Sequence, residues 1–247
     1  MGVSYNSVLN RDGLVLHLCS NVPRSYPGSG TTWYDISGNN NHGTLVNGVS
    51  YLSSNGGVMS FNGVNDRVLI SDSQALRLTV QSACVWFRCG DQGAASRTIY
   101  QSYSQDTNVA GFTIGINVFN QTVSQNRLSC VIGKNTGGNP VDYGLWYSTA
   151  TVADSNWHFG VVIVNPNGSV SFFVDGLSVN STLFLGNNML PVYSGFNQVA
   201  IGVEKINSGS NGKHWNGQLD DIRIYNRALS PLEIKQIFNS TRKRFGV

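Results

Sequence analysis

The chain has 247 residues and a net charge of +3; 12% of its residues are charged, 40% hydrophobic and 11% aromatic. This apolar content excludes a disordered chain, and the absence of a basic stripe excludes a nucleic-acid binder. No run of about 18 apolar residues exists, which excludes a membrane-spanning helix.

The start, Met1-Gly2-Val3-Ser4-Tyr5-Asn6, lacks the cationic start and apolar core of a secretory signal. Folding in a cytoplasm is therefore expected. Residues 1–12 read as a polar arm, and Leu14–Leu18 is the first apolar run. Residues 19–50 read as a long loop region. Val58–Phe61 and Arg67–Ile70 flank a turn at Asn62–Asp66. Further strand-like runs follow at Cys84–Arg88, Thr98–Gln101, Phe112–Ile116, Leu128–Ile132 and Trp157–Val164. Asn165-Pro166-Asn167-Gly168 is a hairpin signal, and Ser169–Val174 returns from it. Val199–Val203 and Leu219–Tyr225 finish the series. Short strands with no helices between them predict an antiparallel sandwich or barrel, not a parallel α/β sheet.

One helix is signalled near the end. Ser230-Pro231-Leu232-Glu233 is a capping box with proline at the first helical position. Ile234, Ile237 and Phe238 then share one face, predicting a helix over Pro231–Asn239. The domain is placed at residues 13–241, with 242–247 as a basic tail that is either solvated or docked on an acidic neighbour.

Cys19, Cys84, Cys89 and Cys130 show no metal spacing. On one strand, Cys84 and Cys89 face opposite sides and cannot bridge. Buried free thiols are expected. The histidines, at 17, 42, 158 and 214, are scattered and read as structural.

Glycoside hydrolysis needs two carboxyl groups across the scissile bond. The chain has only two glutamates, Glu204 and Glu233, and Glu233 is explained by the helix cap. Asp220 and Asp221 are adjacent, so a regular strand points them to opposite faces. No enzyme activity is expected. Aromatic residues in polar surroundings are the candidates for stacking on sugar. They are Trp33, Tyr34, Tyr103, Trp146, Tyr147 and Trp215, the last in a Gly/Ser/Asn segment expected to be exposed. Trp33, Tyr34, Trp146 and Trp215 are taken forward as carbohydrate-binding. Trp86, Trp157, Phe172 and Phe173 are expected in the core.

Several segments resemble one family. They are Trp33–Leu45 (WYDISGNNNHGTL), Phe61–Asp66 (FNGVND), Trp157-His158 with Phe173–Gly176 (FVDG), and Gly217–Ser230 (GQLDDIRIYNRALS). Together they resemble the concanavalin A-like lectin/glucanase superfamily, in its laminin-G-like branch. The resemblance implies an all-β, antiparallel two-sheet jelly-roll sandwich with a short C-terminal helix. It also implies a calcium site with Asp66 and Asp220 as ligands and Asn62 or Asp35 as helpers. Asn62 stands where the family has Asp, Arg67 where it has an aromatic, and Cys19 where it often has Asp, so the site loses charge. Two readings stand at this point: calcium ligands, or carboxylates that cap turns.

Gly13–Leu18, Pro23–Trp33 and the ending Arg244–Val247 resemble structural proteins of tailed bacteriophages. That resemblance implies a non-enzymatic virion protein, a capsid decoration or fibre-type module used for glycan or host-surface attachment. It would be made in the host cytoplasm and displayed on the particle. Its partners would be capsid or other virion proteins and surface glycans, with no nucleic acid and no membrane insertion. Self-association into a homo-oligomer stays open. So do a free or cell-surface carbohydrate-binding protein and a glycoside hydrolase.

Overall fold

The computed structural model describes residues 10–93, 95–104, 110–118, 122–134, 143–193, 197–205 and 211–247. In chain order the strands begin with β1 (Leu14–Leu18), β2 (Thr32–Trp33), β3 (Gly43–Val46), β4 (Ser50–Leu52), β5 (Val58–Asn62) and β6 (Arg67–Ile70). They continue with β7 (Gln81–Arg88), β8 (Arg97–Ser104), β9 (Ala110–Ile116), β10 (Arg127–Lys134), β11 (Tyr143–Thr151), β12 (Trp157–Val164) and β13 (Val170–Val174). The last are β14 (Leu177–Val179), β15 (Ser181–Gly186), β16 (Asn197–Ile201), β17 (Glu204–Lys205), β18 (Asn211–Gly212) and β19 (Asn216–Tyr225), before the helix α1 (Pro231–Phe245).

Two antiparallel sheets face each other. One runs β14-β13-β12-β7-β19-β5-β4, with β1 also paired to β19. The other runs β15-β11-β10-β9-β8-β16-β6-β3-β2. Thus β19 is shared along one edge: its first half pairs with β5 and its second half with β1. This is the jelly-roll sandwich that the alternation predicts.

Alternation sorts the side chains. On β7, Ala83, Val85 and Phe87 enter the core between the sheets, while Cys84 and Trp86 point outward. On β12, Val162 and Val164 point in, and Trp157, Phe159, Val161 and Ile163 point out. Central strands are buried on both faces because α1 covers the outer one. Phe245 stacks on Trp86 with centroids 4.1 Å apart, and Trp86 Nε1 donates to Thr241 (2.9 Å). The four cysteines are free and buried, with Cys84 in the outer cluster and Cys89 in the inner one.

The helix runs six residues past the expected Asn239. Ser230 and Glu233 form the reciprocal cap as read, and Gly246 ends the helix in the left-handed region (φ +78°). Arg242, Lys243 and Arg244 form its last turn, where cations suit the helix dipole, so they are not a separate tail. Phe245 extends the helix because it finds Trp86 and Trp157, a long-range partnership.

Three segments depart from expectation. Residues 19–50 contain β2 and β3 and reach the start of β4. Tyr143–Thr151, read as polar surroundings for Trp146 and Tyr147, is β11, an interior strand. Asp220 and Asp221 do not face opposite ways. The register steps from Asp220↔Trp86 to Arg223↔Cys84, so β19 carries one extra residue, and Asp221 takes it up at φ +49°. Leu219 and Ile222 both reach the inner core, which leaves both aspartates on the side of the helix.

Candidate functional site

Among the described residues, an open cleft of about 320 Å³ is lined by Arg11, Arg24, Tyr34, Asp35, Ile36, Gly38 and His42. It is built by the loop between β2 and β3, with one wall from the turn before β1 and another from the turn after it. Tyr34 is 43% exposed and meets the His42 ring edge-on, with centroids 5.3 Å apart and planes at 71°. The two rings form a polar-aromatic corner open to solvent.

The corner rests on a saturated hub. Asp35 is buried, and its Oδ1 accepts the backbone N–H of His17 (2.9 Å) and of Ser37 (2.8 Å). Its Oδ2 accepts the Ser37 hydroxyl (2.8 Å) and the Asn41 N–H (3.0 Å). The Asp35 N–H donates to His42 Nδ1 (3.0 Å), so the proton of a neutral His42 sits on Nε2. The free edge of β1 is satisfied by side chains in place of a strand. Asn39 Nδ2 donates to the Leu14 carbonyl (3.2 Å), and Asn41 Nδ2 to that of Val15 (2.8 Å). This is the physical reason for the Ser-Gly-Asn-Asn-Asn-His run. Ser25 clamps Tyr34 from the other side: its carbonyl accepts the Tyr34 N–H (2.7 Å) and its hydroxyl donates to the Tyr34 carbonyl (2.7 Å). Backbone strapping of this kind fixes an exposed ring.

The remaining sugar-stacking candidates are placed elsewhere. Trp33, next to Tyr34, points inward and has no exposed surface. Trp146 lies buried on the inner face of β11. Trp215, expected exposed, is fully buried and meets the Phe87 ring edge-on, with centroids 6.0 Å apart. A buried indole offers no face to a sugar, so of the four residues taken forward only Tyr34 lies at a surface. Polar neighbours misled the sequence reading, because alternation at a strand's start outweighs the composition of the loop before it. The side chain of Tyr103 and residues 206–210 lie outside the described residues.

The calcium candidates do not converge. Asp66 accepts the N–H of Gly48 (2.8 Å) and of Asn62 (2.9 Å). Asn62 Oδ1 in return accepts the N–H of Val64 (2.8 Å) and of Asn65 (3.1 Å). These two side chains staple the turn between β5 and β6. Asp220 lies four residues along β19 from Asn216, the partner of Asn62, which is about 13 Å of strand. It accepts the Ser20 N–H (2.7 Å) and hydroxyl (2.5 Å) and pairs with Arg244 (2.5 Å). With backbone donors on Asp66 and a guanidinium on Asp220, these residues do not fit a calcium site.

A second buried cluster holds His17, Cys19 and Asp221 within 4.8 Å of one another. It too is closed. Arg223 Nε and NH2 grip both oxygens of Asp221 (2.8 and 2.9 Å), and His17 Nε2 lies 2.8 Å from Oδ1. Burial opposes the Asp221 charge, but Arg223 and His17 hold the carboxyl well below the usual range. Burial pushes the neighbouring Asp220 up, and Arg244 opposes that rise. Glu204 is held by Lys213 (2.6 Å), and Glu233 by Arg227 (2.7 Å) and the helix cap. Among the described residues, the cleft holds one carboxylate, Asp35, already saturated.

Arg11, Arg24 and His42 were missed as site residues. His42 lies within the Trp33–Leu45 segment, but the two arginines are separated in the chain and carry no local signal.

A model of the concanavalin A-like lectin/glucanases superfamily matches residues 61–235. No curated protein matches the chain. Among solved structures, one of botulinum neurotoxin type C, described as dependent for cell entry upon interaction with two ganglioside molecules, aligns with TM-score 0.68 and 17% identity over 94% of this chain and 52% of that one. The binding domain of botulinum neurotoxin DC in complex with rat synaptotagmin II gives 0.66 and 16% over 94% and 52%. The binding domain of Paraclostridial Mosquitocidal Protein 1 gives 0.61 and 15% over 93% and 52%. The chain therefore spans about half the length of these structures, and at this identity the likeness is one of fold.

Proposed function

The chain belongs to the concanavalin A-like lectin/glucanases superfamily, and from that premise we propose that it is a non-enzymatic, glycan-binding module displayed on a tailed-phage particle. The observation that carries the binding reading is the exposed Tyr34 ring beside His42, held over a saturated Asp35 hub. The aromatic face takes the C–H side of a sugar, while His42 Nε2–H faces its oxygens. Sandwiches of this fold include a neurotoxin described as dependent on gangliosides for cell entry, which supports glycan contact as a use of the architecture. A non-catalytic role is supported by the carboxylates. Hydrolysis needs two facing carboxyl groups, and the single one in the cleft is engaged by four donors.

The particle role is supported by the segments that resemble tailed-phage structural proteins. Two of them, Gly13–Leu18 and Pro23–Trp33, form β1 and part of the cleft wall. An open cleft binds one sugar weakly, and many copies on one particle raise the effective affinity. Capsid or other virion proteins are the expected anchors.

A glycan array with the full chain and Tyr34→Ala tests the site. Binding lost in the variant at unchanged melting temperature, with no product released from any glycan, is the expected result. Unchanged binding in Tyr34→Ala sinks the site; released product sinks the non-catalytic reading. Mass spectrometry of purified particles is expected to find the chain in many copies. Its absence from particles would return a free carbohydrate-binding protein.

A further inference from the structure

We infer that the Tyr34–His42 cleft selects an anionic sugar, with Arg11 and Arg24 gripping the acidic group. This rests on the proposed glycan role of the same cleft. Arg77 pairs with Asp72, Arg223 with Asp221, Arg227 with Glu233 and Arg244 with Asp220. Arg11 and Arg24 are exposed, line one small opening, and have no ion-pair partner among the described residues. Arg67, Arg88, Arg97, Arg127 and Arg242 likewise form no ion pair among the described residues, but they bond carbonyls, amides or rings, and none of them lines this cleft.

Asp35 does not neutralise them. It is buried, and both its oxygens are occupied by the donors of its own loop, so neither guanidinium reaches it as a partner. The opening thus presents two cations against one enclosed anion. A guanidinium matches the planar fork of a carboxylate and two oxygens of a phosphate equally well, so the shared chemistry is an anionic substituent.

Position adds to charge. The turn at Arg11 is not a loose arm: the Leu14 N–H donates to the Arg11 carbonyl (3.0 Å), and Asn10 bonds Glu233 at the start of α1. Arg227 Nε also donates to the Asp12 carbonyl (3.0 Å). Arg24 lies in a turn closed by Ser25 and Tyr26 N–H bonds to the Val22 carbonyl (2.7 and 2.9 Å). Both backbones are therefore set against the Tyr34 corner, and only the side chains must order on binding. At about 320 Å³ the cleft is at the small end of the roughly 300–1,000 Å³ of ligand pockets. It suits one terminal sugar, with the ring on Tyr34 and the acid toward the arginines.

The test is titration calorimetry on the full chain with sialyllactose, glucose 6-phosphate and neutral lactose, at low and high salt. The expected result is that one or both anionic probes bind at least about tenfold more tightly than lactose, with the advantage shrinking as salt rises. Which of the two leads separates carboxylate from phosphate. Arg11→Gln and Arg24→Gln are each expected to cost the anionic probe about tenfold and to leave lactose unchanged. Tyr34→Ala is expected to weaken all probes. Equal binding of anionic and neutral probes, or arginine variants without effect, overturns the inference. It leaves the glycan role standing if Tyr34→Ala still weakens binding. Binding by none of the probes, or by all of them regardless of Tyr34, overturns both. Melting temperatures of the variants, all at exposed positions, show that the fold is kept.

Discussion

The guanidinium of Arg244, on the last turn of the C-terminal helix, lies 2.5 Å from the fully buried carboxylate of Asp220 in the middle of β19. The same guanidinium donates to the carbonyls of Asn55 (3.1 Å) and Gly57 (3.0 Å). One side chain thus ties the helix, the turn before β5 and the bulged strand. The ring of Phe245 next to it stacks on Trp86.

Removing one partner of such a pair leaves a charge buried alone. Arg244→Ala is expected to cost about 3–5 kcal/mol of stability, read by chemical denaturation. Arg244→Ala combined with Asp220→Asn should cost less than the sum of the two single changes. A cost below about 1 kcal/mol for Arg244→Ala would mean that the pair behaves as a surface contact.

His158 sits between Asp175 (2.8 Å) and Asp154 (3.1 Å). Burial lowers its pKa, but the bonds and charges of the two aspartates outweigh that and raise it above the ordinary 6.5. A raised folded-state value means that the protonated form stabilises the fold. That contribution is complete below pH 6.5 and is lost as pH rises through the folded value. His158→Gln should therefore lower the melting temperature more at mildly acidic than at alkaline pH. A difference that does not vary with pH contradicts the pairing.

Burial pushes the Cys84 and Cys89 thiols up to about 12, and raises those of Cys19 and Cys130 as well. The thiolate is the reactive form. A thiol reagent at mildly alkaline pH is expected to label none of the four in the folded chain and all four after unfolding. Fast labelling of any one in the folded protein would place that residue at a surface.

Asp66, which the sequence resemblance offers as a calcium ligand, accepts two backbone N–H groups instead. Asp66→Ala strips the acceptor from Gly48 and Asn62 and is expected to cost about 1–3 kcal/mol. Calcium or a chelator should leave the melting temperature of the unaltered chain in place. A calcium-dependent rise that disappears in Asp66→Ala would restore the metal.

Much of the fold is legible in short stretches. The bounds of β1, β6 and β12 match their apolar runs, and the Ser230–Glu233 cap sits where its spacing puts it. Each depends on neighbours a few residues apart. β11 was not legible, because Tyr143–Thr151 mixes Gly, Ser and Thr with aromatics and reads as a loop until β10 and β15 pair with it. The Asp221 bulge was not legible either, since Asp and Asn favour positive φ only modestly and nothing local says which of two adjacent aspartates takes up the extra residue. At the site, Tyr34 was read correctly as a surface aromatic, while Trp33, Trp146 and Trp215 were not. Arg11 and Arg24 join the cleft only because the turns on either side of β1 fold over the loop after β2.

By itself, then, the sequence determined an antiparallel sandwich, its main strands, its capped helix and its family. Alternation and capping are local interactions, written within a few residues of where they act. Only the tertiary structure decided which aromatics face water, that Asp66 and Asp220 are engaged elsewhere, and that two arginines meet a tyrosine at one opening. Those outcomes depend on which surfaces other strands and the helix cover, and burial is a property of the whole packed chain.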